Sequence, residues 1–293
     1  MIYLILCILS STGIFLVFKF LDQKNLPSFP VILINYFLGS SLGFLINFER
    51  IEIISIVNNS WAPISILIGV LFIVMFFVIA KSSGEAGISI TTVASKMSVV
   101  FPIAFSMVID STDKLTLLKA IAIFAALSGV LMTVYEPGTS VEKRRRMLVP
   151  LLLFIGMGVV DSLVKYAQHA HVDNADTALF SAVLFAMSLI TGLIILPFRK
   201  QGLSEFRKSA VWEWGLLLGI VNFGSIFMMV SALNYVNKAG VSMDSSVVFG
   251  ANNIGIVTLS VLAGLVIFRE KPAFINKIGI AVSVIAIILF TLA

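Results

Sequence analysis

The feature that most constrains this chain is a succession of ten apolar runs, each about long enough to cross a bilayer, separated by short polar breaks. A span takes about 20 apolar residues, because roughly 30 Å of hydrocarbon is covered at about 1.5 Å per residue. The runs fall near 2–20, 30–47, 62–81, 86–109, 115–135, 147–168, 176–197, 211–233, 239–268 and 273–292. Lipid offers the backbone no partner, so each run is expected to be a helix that satisfies its own amides. The fold class that follows is an all-α integral membrane protein with ten transmembrane helices. The longest connections, 48–61, 136–146 and 198–210, are too short for a soluble domain. Consecutive helices are therefore expected to be antiparallel neighbours. The run that starts at Ile2 has no basic leader and no small-residue cleavage site, and it is read as an uncleaved first span.

Composition excludes several other classes. Only 12% of the residues are charged and 59% are hydrophobic, whereas a soluble domain is roughly a quarter charged. Cys7, the single cysteine, rules out an internal disulfide framework and a cysteine metal cluster. His169 and His171 have no third ligand nearby in the sequence, so no metal site is expected. A phosphate-binding glycine loop is absent, as are the nucleophile and zinc-protease motifs of embedded hydrolases. Neither catalytic residues nor a cofactor are expected. Energy for any transport would come from an ion gradient, from exchange or from the substrate's own gradient.

The chain also repeats itself. Lys19 near the end of the first span matches Lys165 in the sixth, 146 positions later. Ala86-Gly87-Ile88-Ser89 opens the fourth span, and Ala239-Gly240-Val241-Ser242 opens the ninth. Asp113-Lys114 precedes the fifth span as Glu270-Lys271 precedes the tenth, 157 positions later. Three matches in the same order point to a duplicated five-helix unit. The first unit is 1–135, a basic connecting loop is 136–146, and the second unit is 147–293. Five is odd, so the second unit is expected to lie inverted in the membrane. Inverted repeats are characteristic of secondary transporters, with the substrate held near the midplane at the repeat interface.

With these residues in view, the chain resembles the drug/metabolite transporter superfamily, and within it the EamA-like exporters. The resemblance rests on Phe268-Arg269-Glu270-Lys271 followed by Ile278-Gly279-Ile280-Ala281. The first half matches with Asp113-Lys114 and Ala126-Leu127-Ser128-Gly129-Val130. It implies two inverted halves around a central cavity lined by spans 1, 3, 4, 6, 8 and 9, with spans 5 and 10 peripheral. It further implies efflux of small metabolites across a bacterial inner membrane, by a monomer or homodimer.

Basic residues divide unevenly between the two sets of connections. Twelve fall on odd-numbered connections and five, Lys277 among them, on even-numbered ones, while Lys19, Lys96 and Lys165 lie within spans. The positive-inside rule then puts the odd connections in the cytoplasm and both termini outside. The resemblance implies termini inside, so this chain departs from it. The Lys143–Arg146 cluster reads as a topology anchor between two spans and not as a nucleic-acid site.

Polar residues inside the spans are candidates for function, because a charge at a span centre costs about 2.5–3.5 kcal/mol on insertion scales. Lys96 lies about ten residues into the fourth span, with Thr92 one turn before it on the same face. It is expected to hold a carboxylate or other anion, or to alternate between substrate and an internal acid. Asp161, Lys165 and His169 follow at i, i+4 and i+8 in the sixth span, and Asp161 can pair with Lys165 along the helix. Asp244, in the first turns of the ninth span, is expected at a similar depth. Asp161, Lys165 and Asp244 form the candidate coupling or gating set. Lys96, Thr92, Asn222 and Asn252 form the candidate substrate-binding set, although such amides can equally join helices. Gly39/Gly43 and Gly215/Gly219 have small-residue spacing suited to close helix contacts. Pro102 lacks an amide hydrogen and frees the carbonyl of Ser98, which predicts a kink in the fourth span.

The leading functional reading is a secondary transporter, an exporter of small metabolites such as amino acids or related organic compounds, working by alternating access. Its partners are a small-molecule substrate, possible coupled protons or exchanged solutes, and the bilayer. A multidrug or cation exporter is the alternative within transport. A membrane-embedded enzyme or lipid-handling scaffold is the alternative from another class.

Overall fold

The computed structural model describes residues 2–48, 59–109, 115–135, 141–170, 177–199, 202–233 and 245–292. Among these there are ten helices long and apolar enough to cross a membrane, and no strands. The first five are α1 (Ile2–Gln23), α2 (Ser28–Ile46), α3 (Ala62–Glu85), α4 and α5 (Leu117–Val134). In α4 two pieces, Ile88–Met97 and Val100–Ile109, make one span. The second five are α6 (Val141–Ala170), α7 (Thr177–Ile195), α8 (Ser209–Leu233), α9 (Ser245–Val266) and α10 (Phe274–Leu292).

The break in α4 falls at Ser98 and Val99, where the sequence predicts it. Pro102 cannot donate to the Ser98 carbonyl, and that carbonyl instead accepts the Phe101 amide at 2.9 Å. The chain tightens by one residue there and restarts as helix. At the start of α5, Thr116 acts as a cap and its hydroxyl accepts the Lys119 amide at 3.2 Å.

Most helix pairings run between the first five helices and the second five. α1 packs on α8 and α9, α2 on α7 and α8, α3 on α6 and α7, α4 on α6 and α9, and α5 on α10. Glycines allow the closest approaches. Gly39 and Gly43 of α2 sit against Phe185 and Ala182 of α7, while Gly215 and Gly219 of α8 sit against Ile34 and Leu38 of α2. Gly156 and Gly158 bring α6 onto Met75 of α3 and Phe101 of α4. These are the close contacts expected from the small-residue spacing. α2 and α4 are the most enclosed helices, each with 61% of its span buried.

One charge assignment is corrected. Lys277 lies in the first turn of α10, at the end joined to the ninth connection, so it belongs with the odd connections. Moving it changes the count from 12 against 5 to 13 against 4.

Candidate functional site

Two ionisable side chains, Lys96 of α4 and Asp161 of α6, lie within electrostatic range of each other in the interior. The Cys7 thiol of α1 shares that field with Lys96. Lys96 and Asp161 make no direct ion pair among the described residues. Ser98, at the break in α4, presents its hydroxyl 3.0 Å from Asp161 Oδ2 and 2.6 Å from the Ser95 carbonyl. The kink therefore places a donor beside the acid. Cys7 is buried, and its thiol donates to the Ser225 carbonyl of α8 at 3.1 Å. α4 and α6 thus meet at this site, and Cys7 ties the neighbouring α1 to α8.

This arrangement joins candidates that the sequence treats as separate sets. Lys165 reaches from α6 to the Pro102 carbonyl at 3.5 Å, so it too bridges to α4. Asp244 and His171 lie outside the described residues, and so does the orientation of the His169 side chain. The expected cluster of Asp161, Lys165 and Asp244 is therefore described only on its α6 side.

Thr92 and Asn252 are both buried, and the Thr92 hydroxyl and the Asn252 Oδ1 have no hydrogen-bond partner among the described residues. Each keeps bonding capacity that burial makes costly to leave unused. Thr12 of α1 is in the same condition. Asn222 differs, because its Nδ2 donates to Asn35 Oδ1 of α2 at 3.0 Å in a buried contact. That bond joins α8 to α2, as one of the two readings left open by the sequence expects.

A cavity of about 360 Å³ opens at the end of the molecule formed by the odd-numbered connections, with Lys19, Ser89, Tyr135, Glu270, Lys271 and Asn276 among its lining. At its wall Glu270 accepts the Ile88 amide at 2.7 Å, the Ser89 amide at 3.3 Å and the Ser89 hydroxyl at 2.8 Å. Beside it, Asn276 accepts the Ala273 amide and donates to the carbonyls of Met132, Thr133 and Tyr135, tying the start of α10 to the end of α5.

Sequence reasoning passed over Cys7, Ser98, Asn35 and Asn276 as site residues, and it used Glu270 only as a family marker. Asn35 was within its reach, as an amide in mid-span like Asn222. The partnership of Glu270 with α4 was not, because it joins residues 182 positions apart.

No family model matches the chain. An uncharacterized protein of Haemophilus influenzae is 26% identical over 290 residues, covering 97% of this chain and 95% of that protein. A second protein of the same organism, named an uncharacterized transporter, is 28% identical over 128 residues, covering 43% of this chain and 38% of its own length. A solved crystal structure shares 16% identity with a TM-score of 0.59, over 98% of this chain and 96% of that one, which shows likeness of fold. The ten membrane-length helices define a multi-pass membrane architecture. The transporter-named relative is compatible with it, and that is as far as the comparisons define the class.

Proposed function

We propose that the chain is a secondary transporter that exports small metabolites by alternating access, with Lys96 as the central binding residue and Asp161 as its counter-charge. What supports this reading is a lysine and an acid within electrostatic range of each other in the membrane interior, with the Ser98 hydroxyl at the break in α4 set 3.0 Å from the acid. Ionisable groups are expensive to bury there, and their retention on two facing spans is what a binding or coupling role would require. A ligand carboxylate would bind the Lys96 ammonium, with Thr92 and Asn252 supplying spare hydrogen-bonding atoms. Asp161 and Lys165 are the coupling residues in this reading, and Asp244 joins them by its place in the sequence. Asn222 stays in the binding set through the amide atoms that its bond to Asn35 leaves over.

Alternating access by inverted repeats draws support from reciprocal contacts. Gly129 packs on Ser283 and Gly279 on Thr133, and residues 279 and 283 each follow 129 and 133 by 150 positions. Gly69 packs on Ser188 and Gly219 on Leu38, with the same offset of 150. The nine helix pairings between the halves named above also return to themselves when α1 to α5 are exchanged with α6 to α10, while the slighter contacts of α4 with α10 and of α5 with α6 have no such counterpart. A two-fold relation between the halves would produce this pattern. Export, the metabolite class, EamA-like membership and a bacterial inner membrane rest on the sequence resemblance.

The test has two parts. A metabolite panel screened by thermal shift on the purified protein would identify a ligand, and Lys96→Met would then be assayed for transport in proteoliposomes. Methionine replaces the lysine stem and removes the insertion cost, so the variant should fold. It should lose transport of anionic or zwitterionic ligands, because a desolvated carboxylate lacks its partner. Wild-type rates in a folded Lys96→Met protein would reject Lys96 as the binding residue.

A further inference from the structure

α4 begins without a cap of its own. Its N-cap is Gly87, which has no side chain to offer and a φ of +91°. The first amides of any helix lack an internal partner and draw negative charge. Here the acid comes from the other half of the chain, since Glu270 binds the Ile88 and Ser89 amides and the Ser89 hydroxyl. This seat is cut to fit a carboxylate. A Cβ at Gly87 would lie 2.5 Å from Glu270 Oε1, and one at Gly264 would lie 2.5 Å from Oε2. Glu270 is itself held in place by the end of α9. Arg269 takes a left-handed φ of +53°, and the Glu270 amide bonds back to the Gly264 carbonyl at 2.8 Å. That bond folds the chain back onto the end of α9 and so fixes where the Glu270 side chain starts.

The piece of helix gripped in this way is the one that carries Thr92 and Lys96, and the grip sits on the wall of the cavity. We propose that Glu270 is a positioning residue that latches α4 to the second half, and that the latch releases when the molecule opens toward Lys96 from the cavity side. This inference rests on the transporter reading above. The bonds suit a reversible contact. All three are made by one carboxylate, which can leave as a unit, and water in the cavity can take its place on both sides.

The test uses a reporter placed between the latch and the lysine. Thr92 is fully buried and its hydroxyl bonds nothing among the described residues, so Thr92→Cys costs no hydrogen bond seen there. It is made in a Cys7→Ala background, in full-length protein reconstituted in liposomes. The readout is the rate of reaction with a cationic methanethiosulfonate reagent. Glu270→Gln removes the charge and turns one of the two acceptor oxygens into a donor facing an amide donor, Ile88 N–H at Oε1 or Ser89 N–H at Oε2, so the labelling rate should rise at least about fivefold, the order expected when charge-assisted bonds are lost. Ser89→Ala removes one of the three bonds and should give a smaller rise. A static joint predicts something else: a lower melting temperature for both variants, with labelling rates unchanged well below melting. Unchanged rates in both variants would overturn the latch. If Glu270→Gln does not fold, the Ser89→Ala rate decides alone. No ligand is needed, so a failed latch is distinguishable from a failed transporter reading, which the metabolite panel tests separately.

Discussion

Lys96 and Asp161 gain meaning from each other. Either charge alone in the membrane interior would be expected to bind water, neutralise or pull its helix toward the surface. Their electrostatic contact implies measurable coupling. Lys96→Met and Asp161→Asn, made singly and together, should be non-additive in thermal unfolding by about 0.5–3 kcal/mol, the usual range for interacting residues. Asparagine retains an oxygen for Ser98, so that bond does not confound the cycle. Additive effects would show that the two groups stand independently. Lys96→Arg is expected to preserve the charge while altering ligand range, since guanidinium is larger and planar. Lys96 was legible in the sequence because a charge in a long apolar run is visible by inspection. Its partner was not, because 65 positions separate the two and no local pattern links them.

At the scale of helices, the spans themselves and the break in α4 could be read in advance, each from a firm physical rule. Lipid forces every crossing segment to close its own hydrogen bonds, and proline removes a known donor. Which face of each span turns inward could not be read. In water the apolar stripe points to the core, but in lipid both faces are apolar and the pattern loses its direction. α5 and α10 illustrate what was hidden. Their axes are drawn together where Gly129 meets Ser283 and Gly279 meets Thr133, and Asn276 fastens the ends. Asn276→Ala would strand the carbonyls of Met132, Thr133 and Tyr135 and the Ala273 amide. It should cost about 1–3 kcal/mol, the penalty for buried groups left unpaired. Thermal unfolding in detergent would measure it, and an unchanged midpoint would show that these carbonyls find other donors.

For the whole molecule, orientation is the open quantity with the clearest test. By the positive-inside rule, thirteen basic residues on one side against four on the other would put the cavity and the Glu270 latch on the cytoplasmic side, with both termini outside. Reporters fused after Ala293 and within the loop at Arg144 should give opposite signals, the latter cytoplasmic. A cytoplasmic C-terminal reporter would reverse the orientation and turn the cavity outward, leaving the contacts between halves untouched.

Those contacts bear on how the protein is made. A chain leaves the ribosome from its N-terminus, so α1 to α5 enter the membrane first. Of their neighbours in the finished molecule, α1 awaits α8 and α9, α2 awaits α7 and α8, and α5 awaits α10. While the rest is synthesised, the first five helices have only their contacts with one another, such as α1 with α3 and α4 with α5, with Lys96 facing no Asp161 and the first amides of α4 facing no Glu270. The last connection to be translated before α10 carries the residue that caps the fourth span. Assembly is thus completed by the final segments of the chain, and a nascent protein halted at mid-length is one that the cell's membrane quality control would meet unpaired.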